Sequence, residues 1–350
     1  MSLTPRADTT VVTMAPVDHL DDDRGGTRPA HTRIVHRQDG SRNGTTGSPG
    51  SPGLAGVSMG LACYVLWGLF PFYFHALRSA GAVELLAWRI VFSLALSVVL
   101  VTVLRRWARV LAVLRDPAQR GLLALAALAI AVNWGVYGLA VVTGHVLEAS
   151  LGYFVNPLLT VLLGVLVLRE RLRPGQWAAV GVGLAAVVVI TADLGRLPWM
   201  ALTLAVSFGT YGLLKNQLAR RGAGVDPLTG LTVETGVLLV PAVVALAVLG
   251  DRLTFAGEGS LHTTLLVLAG PTTLVPLVLF AAAAARVPLT VVGMLQYVTP
   301  VLQFVAALLL GETMPTSRWI GFGLVWAALV LLTADVLRNQ RRVRVPEPPG

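Results

Sequence analysis

Long apolar runs separated by short polar connections fill the chain from about residue 55 onward. Each run has roughly 17 to 23 residues, enough for a helix to cross the ~30 Å hydrocarbon core of a bilayer. The pattern therefore predicts an all-α polytopic membrane protein. Its ten predicted transmembrane helices lie at about 57–77, 83–104, 121–142, 146–168, 175–192, 198–216, 227–249, 263–285, 288–310 and 318–336.

A ten-residue stretch in the fourth run, from Glu148 to Pro157, carries polar groups along one side of the predicted helix. Glu148, Gly152 and Asn156 are spaced by four residues, so they share a helical face. Pro157 has no N–H to donate to the carbonyl of Tyr153, so we expect it to break the helix.

A weaker echo of this stretch occupies residues 291–300. Gln296, Thr299 and Gln303 share a face, and Pro300 is expected to break the helix and leave the carbonyl of Gln296 free. Hydrocarbon tolerates such groups only where protein or a water-filled cavity receives them. The two stretches therefore predict a central polar site.

The chain repeats itself at an offset of about 142 to 144 residues. Each half holds five predicted helices, and an odd number makes the second half enter the membrane from the opposite side. We therefore expect an inverted repeat, an arrangement found in many secondary transporters. The recurring residues are Trp67-Gly68, Pro157, Glu170, Trp177, Gly181, Ala185 and Thr191-Ala192-Asp193, matched by Tyr211-Gly212, Pro300, Glu312, Trp319, Gly323, Ala327 and Thr333-Ala334-Asp335.

The predicted organisation has four parts: a disordered tail at 1–55, a first repeat at 56–194, a second repeat at 195–337 and a basic C-terminal tail at 338–350. The N-terminal tail is rich in Gly, Pro, Thr and Arg. Such a segment cannot bury enough apolar surface to offset its chain entropy.

Composition supports the membrane class, because 55% of residues are hydrophobic and only 13% are charged, against about 25% charged in soluble domains. The net charge is +9, but the arginines fall between apolar runs, so no nucleic-acid partner is expected. Cys63 is the only cysteine. We expect no metal site and no cofactor.

The basic residues also predict the orientation. If the N-terminal tail is cytoplasmic, sixteen lysines and arginines fall on the cytoplasmic side and four, Arg78, Arg196, Arg252 and Arg318, on the other. This positive-inside bias predicts two cytoplasmic termini. Residues 105–120 also have an apolar face opposite arginines, which predicts a short interfacial helix, with a solvated loop as the alternative.

Several segments resemble the RarD family, the chloramphenicol-sensitivity proteins of the EamA branch of the drug/metabolite transporter superfamily. The resemblance covers about 57–338 and implies a ten-helix carrier of the bacterial inner membrane, built from two EamA repeats, with no settled substrate and no established catalytic residues. The N-terminal tail of more than fifty residues departs from the family pattern. The segments are Tyr64-Val65-Leu66-Trp67-Gly68, Glu84-Leu85-Leu86-Ala87-Trp88-Arg89, Asn133-Trp134, Leu147 to Leu158, Arg169-Glu170-Arg171, Ser207-Phe208, Tyr211-Gly212, Glu234-Thr235 and Gln296-Tyr297 with Pro300.

Ionisable residues inside the runs need an explanation, because each costs about 2.5–3.5 kcal/mol at a helix centre on insertion scales. Arg89 either anchors an anionic group of the substrate or forms a structural ion pair with Glu84, Glu148 or Glu234. Glu234 holds nearly the position in the second half that Arg89 holds in the first, so the two form a central pair if the pseudo-two-fold axis brings them together. Glu148 either snorkels to the interface or acts as a gate or proton acceptor.

Polar side chains also recur every four residues on the sixth predicted helix, which indicates a face turned to a cavity or to the bundle interior. These are Thr203, Ser207, Tyr211 and Lys215, of which Lys215 is expected to snorkel to the cytoplasmic surface. Asn133 and Tyr137 form a shorter stripe that interhelical hydrogen bonding alone would also explain. The predicted substrate or coupling residues are Arg89, Asn133, Glu148, Asn156, Tyr211, Glu234 and Gln296, with Pro157 and Pro300 as helix breakers.

The leading functional hypothesis is a secondary transporter, an exporter or permease that moves a small organic solute by alternating access and is coupled to protons or to the solute's own gradient. No P-loop, HExxH or GxSxG motif occurs in the apolar runs, so neither ATP-driven transport nor an intramembrane enzyme is expected. A channel or a membrane scaffold is the alternative. The expected partners are the substrate and the lipid bilayer, and a homodimer is left open.

Overall fold

The computed structural model describes residues 52–168, 172–221, 225–287 and 289–344, and regular secondary structure within these ranges is entirely helical. Two short 3₁₀ turns, Arg78–Ala80 and Gly250–Arg252, adjoin α3 and α9. The helices are α1 (Pro52–Gly68), α2 (Phe70–Ala76), α3 (Gly81–Val103), α4 (Trp107–Arg115), α5 (Pro117–Val142), α6 (Val146–Leu168), α7 (Pro174–Leu194), α8 (Trp199–Arg220), α9 (Pro227–Leu249), α10 (Ser260–Val267), α11 (Ala269–Ala284), α12 (Leu289–Leu295), α13 (Val298–Leu309) and α14 (Thr316–Arg344).

The ten predicted spans are all present. Nine helical segments in the described ranges are long and apolar enough to cross a membrane, and α8, with 22 residues, is the tenth. Spans 1, 8 and 9 each consist of two consecutive helices, namely α1 with α2, α10 with α11 and α12 with α13. Spans 2 to 7 are α3, α5, α6, α7, α8 and α9, and span 10 is α14.

The packing of the spans has the symmetry of an inverted repeat. Spans 2, 4 and 5 each pack against their own counterparts in the second half, which are spans 7, 9 and 10. Span 3 packs against span 6 in the same way that span 8 packs against span 1. A pseudo-two-fold axis in the membrane plane generates this pattern, and the predicted ten-helix inverted repeat is confirmed.

Two crosswise ion pairs join α7 to α14 and explain the repeated Thr-Ala-Asp word. Arg318 Nε at the start of α14 lies 2.7 Å from Asp193 Oδ2 near the end of α7, and Ser317 also donates to that carboxylate. At the other end of the pair, Arg173 Nε lies 3.3 Å from Asp335 Oδ2. Each repeated aspartate therefore holds the arginine that precedes or begins the partner helix, as two antiparallel helices require.

The bundle has two distinct ends. One end, which we call the arginine-rich face, carries α4. There Arg106 and Arg109 lie 3.4 and 3.5 Å from Asp226, the N-cap of α9. The opposite face carries Arg196 and Arg318, and there Glu312 accepts hydrogen bonds from the N–H groups that begin α6. Both sets of contacts join the first repeat to the second.

Asp226 on the arginine-rich face has a pKa that its neighbours lower. Partial burial raises its pKa, but hydrogen bonds from Thr229 and the charges of Arg106 and Arg109 outweigh burial, so the net pKa lies below the ordinary aspartate value. The carboxylate therefore stays ionised at neutral pH and holds α4 against the start of α9.

Some predicted boundaries change or fall outside the described residues. The predicted tail at 1–55 lies outside them, except that α1 already begins at Pro52. α14 continues to Arg344, past the predicted boundary at residue 337, and residues 345–350 are outside the described ranges. Residues 169–171 are outside as well. The helix predicted within 105–120 is confirmed as α4, and the Asp116 side chain caps the N-terminus of α5.

Candidate functional site

Arg89 is buried among aromatic rings in the half of the bundle nearer the opposite face. Its side chain is 5% exposed and lies eight residues into α3, which is about 12 Å along the helix axis. The guanidinium carbon is 4.1 Å from the ring centroid of Trp134, and Phe70 and Phe74 lie at 5.5 and 5.6 Å. Arg89 Nε donates to Thr273 Oγ1 at 2.9 Å. This arrangement holds the cation by cation–π contacts and one neutral acceptor.

The acidic partners predicted for Arg89 are all engaged elsewhere. Glu84 accepts from the Thr254 backbone N–H at 3.0 Å and from Trp88 Nε1 at 3.2 Å. Glu148 Oε2 pairs with Arg196 at 2.9 Å, and its Oε1 accepts from the Met200 N–H. Within the described residues, no carboxylate lies within 4.0 Å of the Arg89 nitrogens. The structural ion pair predicted as one alternative for Arg89 is therefore wrong.

Glu234 forms a second charged site nearer the arginine-rich face. It is 3% exposed and lies seven residues into α9, which is about 10 Å along that helix. Lys215 Nζ of α8 is 2.6 Å from Glu234 Oε1, and Tyr211 donates to Oε2 at 3.3 Å. The Lys215 ammonium group therefore does not snorkel to the surface as expected, because it pairs with the Glu234 carboxylate, although 31% of the Lys215 side chain is exposed.

The predicted contact between Arg89 and Glu234 is also wrong, for a reason that follows from the symmetry. An axis in the membrane plane exchanges the two faces, so equivalent residues meet only if they lie at the midplane. Arg89 is about 12 Å from one end of the bundle and Glu234 is about 10 Å from the other. The symmetry therefore places the two charged sites at similar depths from opposite faces.

A series of aromatic side chains connects the two sites. The ring centroids of Phe74 and Tyr137 are 5.5 Å apart, and those of Tyr137 and Tyr153 are 5.8 Å apart. Phe208 follows at 6.1 Å from Tyr153, and Tyr211 at 6.2 Å from Phe208. The series draws on spans 1, 3 and 4 of the first repeat and on span 6 of the second, and it crosses between the repeats at the contact of Tyr153 with Phe208. Phe208 lies in a segment that resembles RarD, but its place in this series could not be predicted, because a single phenylalanine in an apolar run has no distinguishing signal.

Asn133 is a hydrogen-bonding centre between three spans. Its Nδ2 donates to the carbonyl of Leu204 at 3.0 Å and to Ser207 Oγ at 3.1 Å. Its Oδ1 accepts from the Tyr153 hydroxyl at 3.1 Å. The stripes predicted on the third and sixth helices therefore face each other, and Asn133 joins α5, α6 and α8.

The Glu148–Pro157 stretch and its echo do meet between the repeats. Ser150 Oγ donates to the carbonyl of Pro300 at 2.8 Å, and Gly152 lies at a close approach of the backbones of α6 and α8. Asn156 Oδ1 is buried and has no hydrogen-bond partner among the described residues. This unsatisfied acceptor keeps Asn156 a candidate polar group of the pathway.

The predicted breaks at the two prolines are not where the sequence placed them. Pro157 lies inside α6, which continues from Val146 to Leu168. Pro300 lies in the first turn of α13, where a missing N–H costs little. The chain instead breaks before it, between α12 and α13, and the Gln296 carbonyl is not free because it accepts from the Thr299 N–H at 3.3 Å.

A cavity of about 470 Å³ opens at the opposite face, between α6, α7 and the start of α14. Glu148, Arg196, Glu312 and Arg318 line it. Burial raises the pKa of Glu312 above its ordinary value, and the two N–H groups that begin α6 only partly offset the effect. This places Glu148 at the face of the bundle, within a network that ties the loop after α7 to α6.

No group of three or more His, Cys, Asp or Glu side chains that could hold a metal ion occurs in the described ranges. Cys63 is buried. The buried polar groups proposed here for the pathway are Arg89, the Glu234 carboxylate with Lys215, Asn133, Asn156 and the tyrosines.

Comparison with known proteins agrees with this architecture. The model of the EamA-like transporter family matches residues 54–192 and 197–334, which are the two repeats. A protein named RarD from Streptomyces exfoliatus is 49% identical over 83% of this chain and 91% of its own length. RarD of Escherichia coli K12 is 38% identical over 82% of this chain and 96% of its own length. An uncharacterized transporter of Pseudomonas aeruginosa is 44% identical over 83% of this chain and 97% of its own.

A solved crystal structure with 21% sequence identity covers 81% of this chain and 98% of its own, with a TM-score of 0.51. This likeness supports the fold alone. The family is identified by the match of both repeats, by the sequence identities over most of the chain and by the inverted five-span packing. The chain belongs to the EamA-like transporter family, and its relatives include proteins named RarD.

Proposed function

We propose that this transporter is a secondary carrier that moves a small organic solute by alternating access across the bacterial inner membrane. The observation that carries the proposal is the aromatic series between two buried charged sites, Arg89 near one face and Lys215–Glu234 near the other. Arg89 of the first repeat donates to Thr273 of the second, and the contact between Tyr153 and Phe208 joins the repeats within the aromatic series. An inverted repeat that rocks around such an interface can expose either site in turn to its own side.

The Lys215–Glu234 pair is the proposed coupling site. A buried carboxylate paired with a lysine can exchange its partner for a proton at little net cost in charge, and Tyr211 remains to hydrogen-bond either form. Protons are therefore the proposed coupling ion. Replacement of Glu234 by Gln should abolish uphill transport while solute exchange at equal concentrations continues.

The proposed orientation places both termini and the arginine-rich face in the cytoplasm, from the positive-inside bias. Reaction of single introduced cysteines with an impermeant thiol reagent in intact cells tests it. Cysteine at Glu258, on the opposite face, should react in intact cells, and cysteine at Arg109 should react only after lysis. The reverse result would show the opposite orientation in the membrane and would leave the fold unchanged.

Reconstitution into lipid vesicles tests the carrier proposal itself. A carrier gives saturable counterflow, in which an internal pool of unlabelled solute accelerates entry of the labelled solute. An ohmic conductance without counterflow would favour a channel. Loss of all flux, with the protein correctly inserted and folded, would favour a scaffold.

A further inference from the structure

We propose that the Arg89 pocket binds the anionic group of a small, planar organic acid. This inference rests on the proposed carrier function and assigns the substrate class to one end of its pathway. It starts from an unusual state of charge. Arg89 is 5% exposed and keeps its proton, yet no described carboxylate lies within 4.0 Å of it.

The free hydrogen-bonding capacity of Arg89 is the first observation. Only Nε donates to a described residue, Thr273 Oγ1 at 2.9 Å, so the two terminal nitrogens have no protein acceptor in the described part of the chain. A buried charge without a counter-charge is costly. A planar carboxylate or phosphate would accept two parallel hydrogen bonds from this fork and neutralise the charge.

The second, independent observation is Tyr137. Its side chain is 3% exposed, and its hydroxyl has no hydrogen-bond partner among the described residues. The Tyr137 ring lies 5.5 Å from that of Phe74, and the Phe74 ring in turn lies 5.6 Å from the guanidinium carbon of Arg89. A hydroxyl donor without an acceptor, close to a cation without a counter-charge, favours an anionic ligand over a cationic one.

The rings around Arg89 supply the planar part of the assignment. Trp134 stacks on the guanidinium at 4.1 Å, which leaves the edge of the fork free for a ligand. Phe70 and Phe74 provide apolar faces within 5.6 Å. An aromatic or conjugated acid can place its anionic end on Arg89 and its ring against these faces.

The pocket is closed in this conformation. A narrow gap lies beside Phe74, Leu86, Arg89 and Trp134, and a ligand can enter only after α2 or α3 moves. Burial of Arg89 strengthens its attraction to an anion.

Binding to the purified protein in lipid nanodiscs tests the inference. The probes are radiolabelled benzoate, benzamide as its neutral counterpart, benzylamine as its cationic counterpart, and phenyl phosphate. We expect benzoate or phenyl phosphate to bind saturably, and the preference between them distinguishes a carboxylate from a phosphate site. Benzamide and benzylamine should bind at least tenfold more weakly.

The variants locate the site. Arg89→Gln should weaken anion binding at least tenfold, Arg89→Lys less so because it keeps the charge but loses the fork, and Tyr137→Phe by about threefold. Arg252→Gln, which removes an exposed arginine from the 3₁₀ turn after α9, is the control and should bind as the wild type does. Should Arg89→Gln fail to fold, Tyr137→Phe and Arg89→Lys still decide.

Three results would overturn the inference: no binding of either anion, equal binding of benzamide, or unchanged anion binding in Arg89→Lys and Tyr137→Phe. Its failure is separable from that of the carrier proposal. Saturable counterflow of a neutral or cationic solute would remove the anion assignment and leave the carrier intact. Anion binding together with an ohmic conductance would keep the anion assignment and remove the carrier proposal.

Discussion

Replacement of Gly152 by alanine should separate the two repeats at a point where their backbones approach closely. A Cβ at position 152 would lie 2.7 Å from the backbone oxygen of Ala201, 3.0 Å from its Cα and 2.9 Å from the Leu204 Cβ. Two of these three atoms are backbone, so no side-chain rotation can relieve the contact. α6 and α8 would have to move apart by about 0.8 Å to regain a separation of about 3.5 Å.

The cost of this change follows from its position. Overpacking in a well-packed interior costs about 1–3 kcal/mol, and the same displacement stretches the Asn133 hydrogen bonds to Leu204 and Ser207 of α8. We therefore expect an apparent Tm lower by roughly 2–10 °C. Transport should fall as well, because the contact joins the halves that must move as units.

Gly181→Ala is the matched control. Gly181 lies inside α7, and a Cβ there would meet no atom within 4 Å. Because alanine favours a helix by up to about 1 kcal/mol over glycine, this variant should be unchanged or slightly more stable. Both variants can be compared by thermal unfolding in nanodiscs at one heating rate. Equal Tm values for the two would refute the close approach of α6 and α8.

Three further predictions concern the charged groups. Lys215→Met should destabilise the bundle by roughly 3 kcal/mol, since it leaves Glu234 buried without its cation. Adding Glu234→Gln should restore most of the lost stability. A double variant no more stable than the single one would contradict the pairing. Arg318→Gln should lower the apparent Tm by a few degrees and be nearly neutral once Asp193 is also changed to Asn, whereas additive losses would show that the two do not interact. Asp226→Asn keeps an N-cap but loses the charge, and it should cost up to about 1 kcal/mol of stability at neutral pH. Because the pKa of Asp226 is lowered in the fold, this difference in stability should vanish as the pH falls below about 3.9 and through the lowered pKa. A difference that persists in acid would refute the electrostatic role.

The ten spans and the inverted repeat could be predicted from the sequence because their signals are long and periodic. Runs of about 20 apolar residues have few alternatives in a membrane protein. The recurrence of Thr-Ala-Asp indicated the duplication, although its physical role required the structure. Only the folded chain shows that Asp193 and Asp335 hold arginines across an antiparallel helix pair.

The partners of the buried charges could not be predicted, because side-chain pairing depends on depth and rotation as well as on sequence position. Arg89 and Glu234 correspond in the repeat, yet the axis places them near opposite faces. Lys215 looked like a surface lysine from its place near a helix end, but Glu234 lies within reach of its Nζ. Pro157 is accommodated inside α6, so this proline costs the helix one hydrogen bond without breaking it.

Alternating access is the central claim, and distances measured across the two faces test it most directly. Spin labels at Ser79 and Glu258, which are hydrogen-bonded across the opposite face, report one side. Labels at Arg109 and Pro227, beside the contact with Asp226, report the other, and each pair joins the first repeat to the second. With buried Cys63 replaced by alanine, pulsed electron resonance in nanodiscs should show two populations in which one distance lengthens as the other shortens. Distances that stay fixed at both faces, or that lengthen together, would contradict the account.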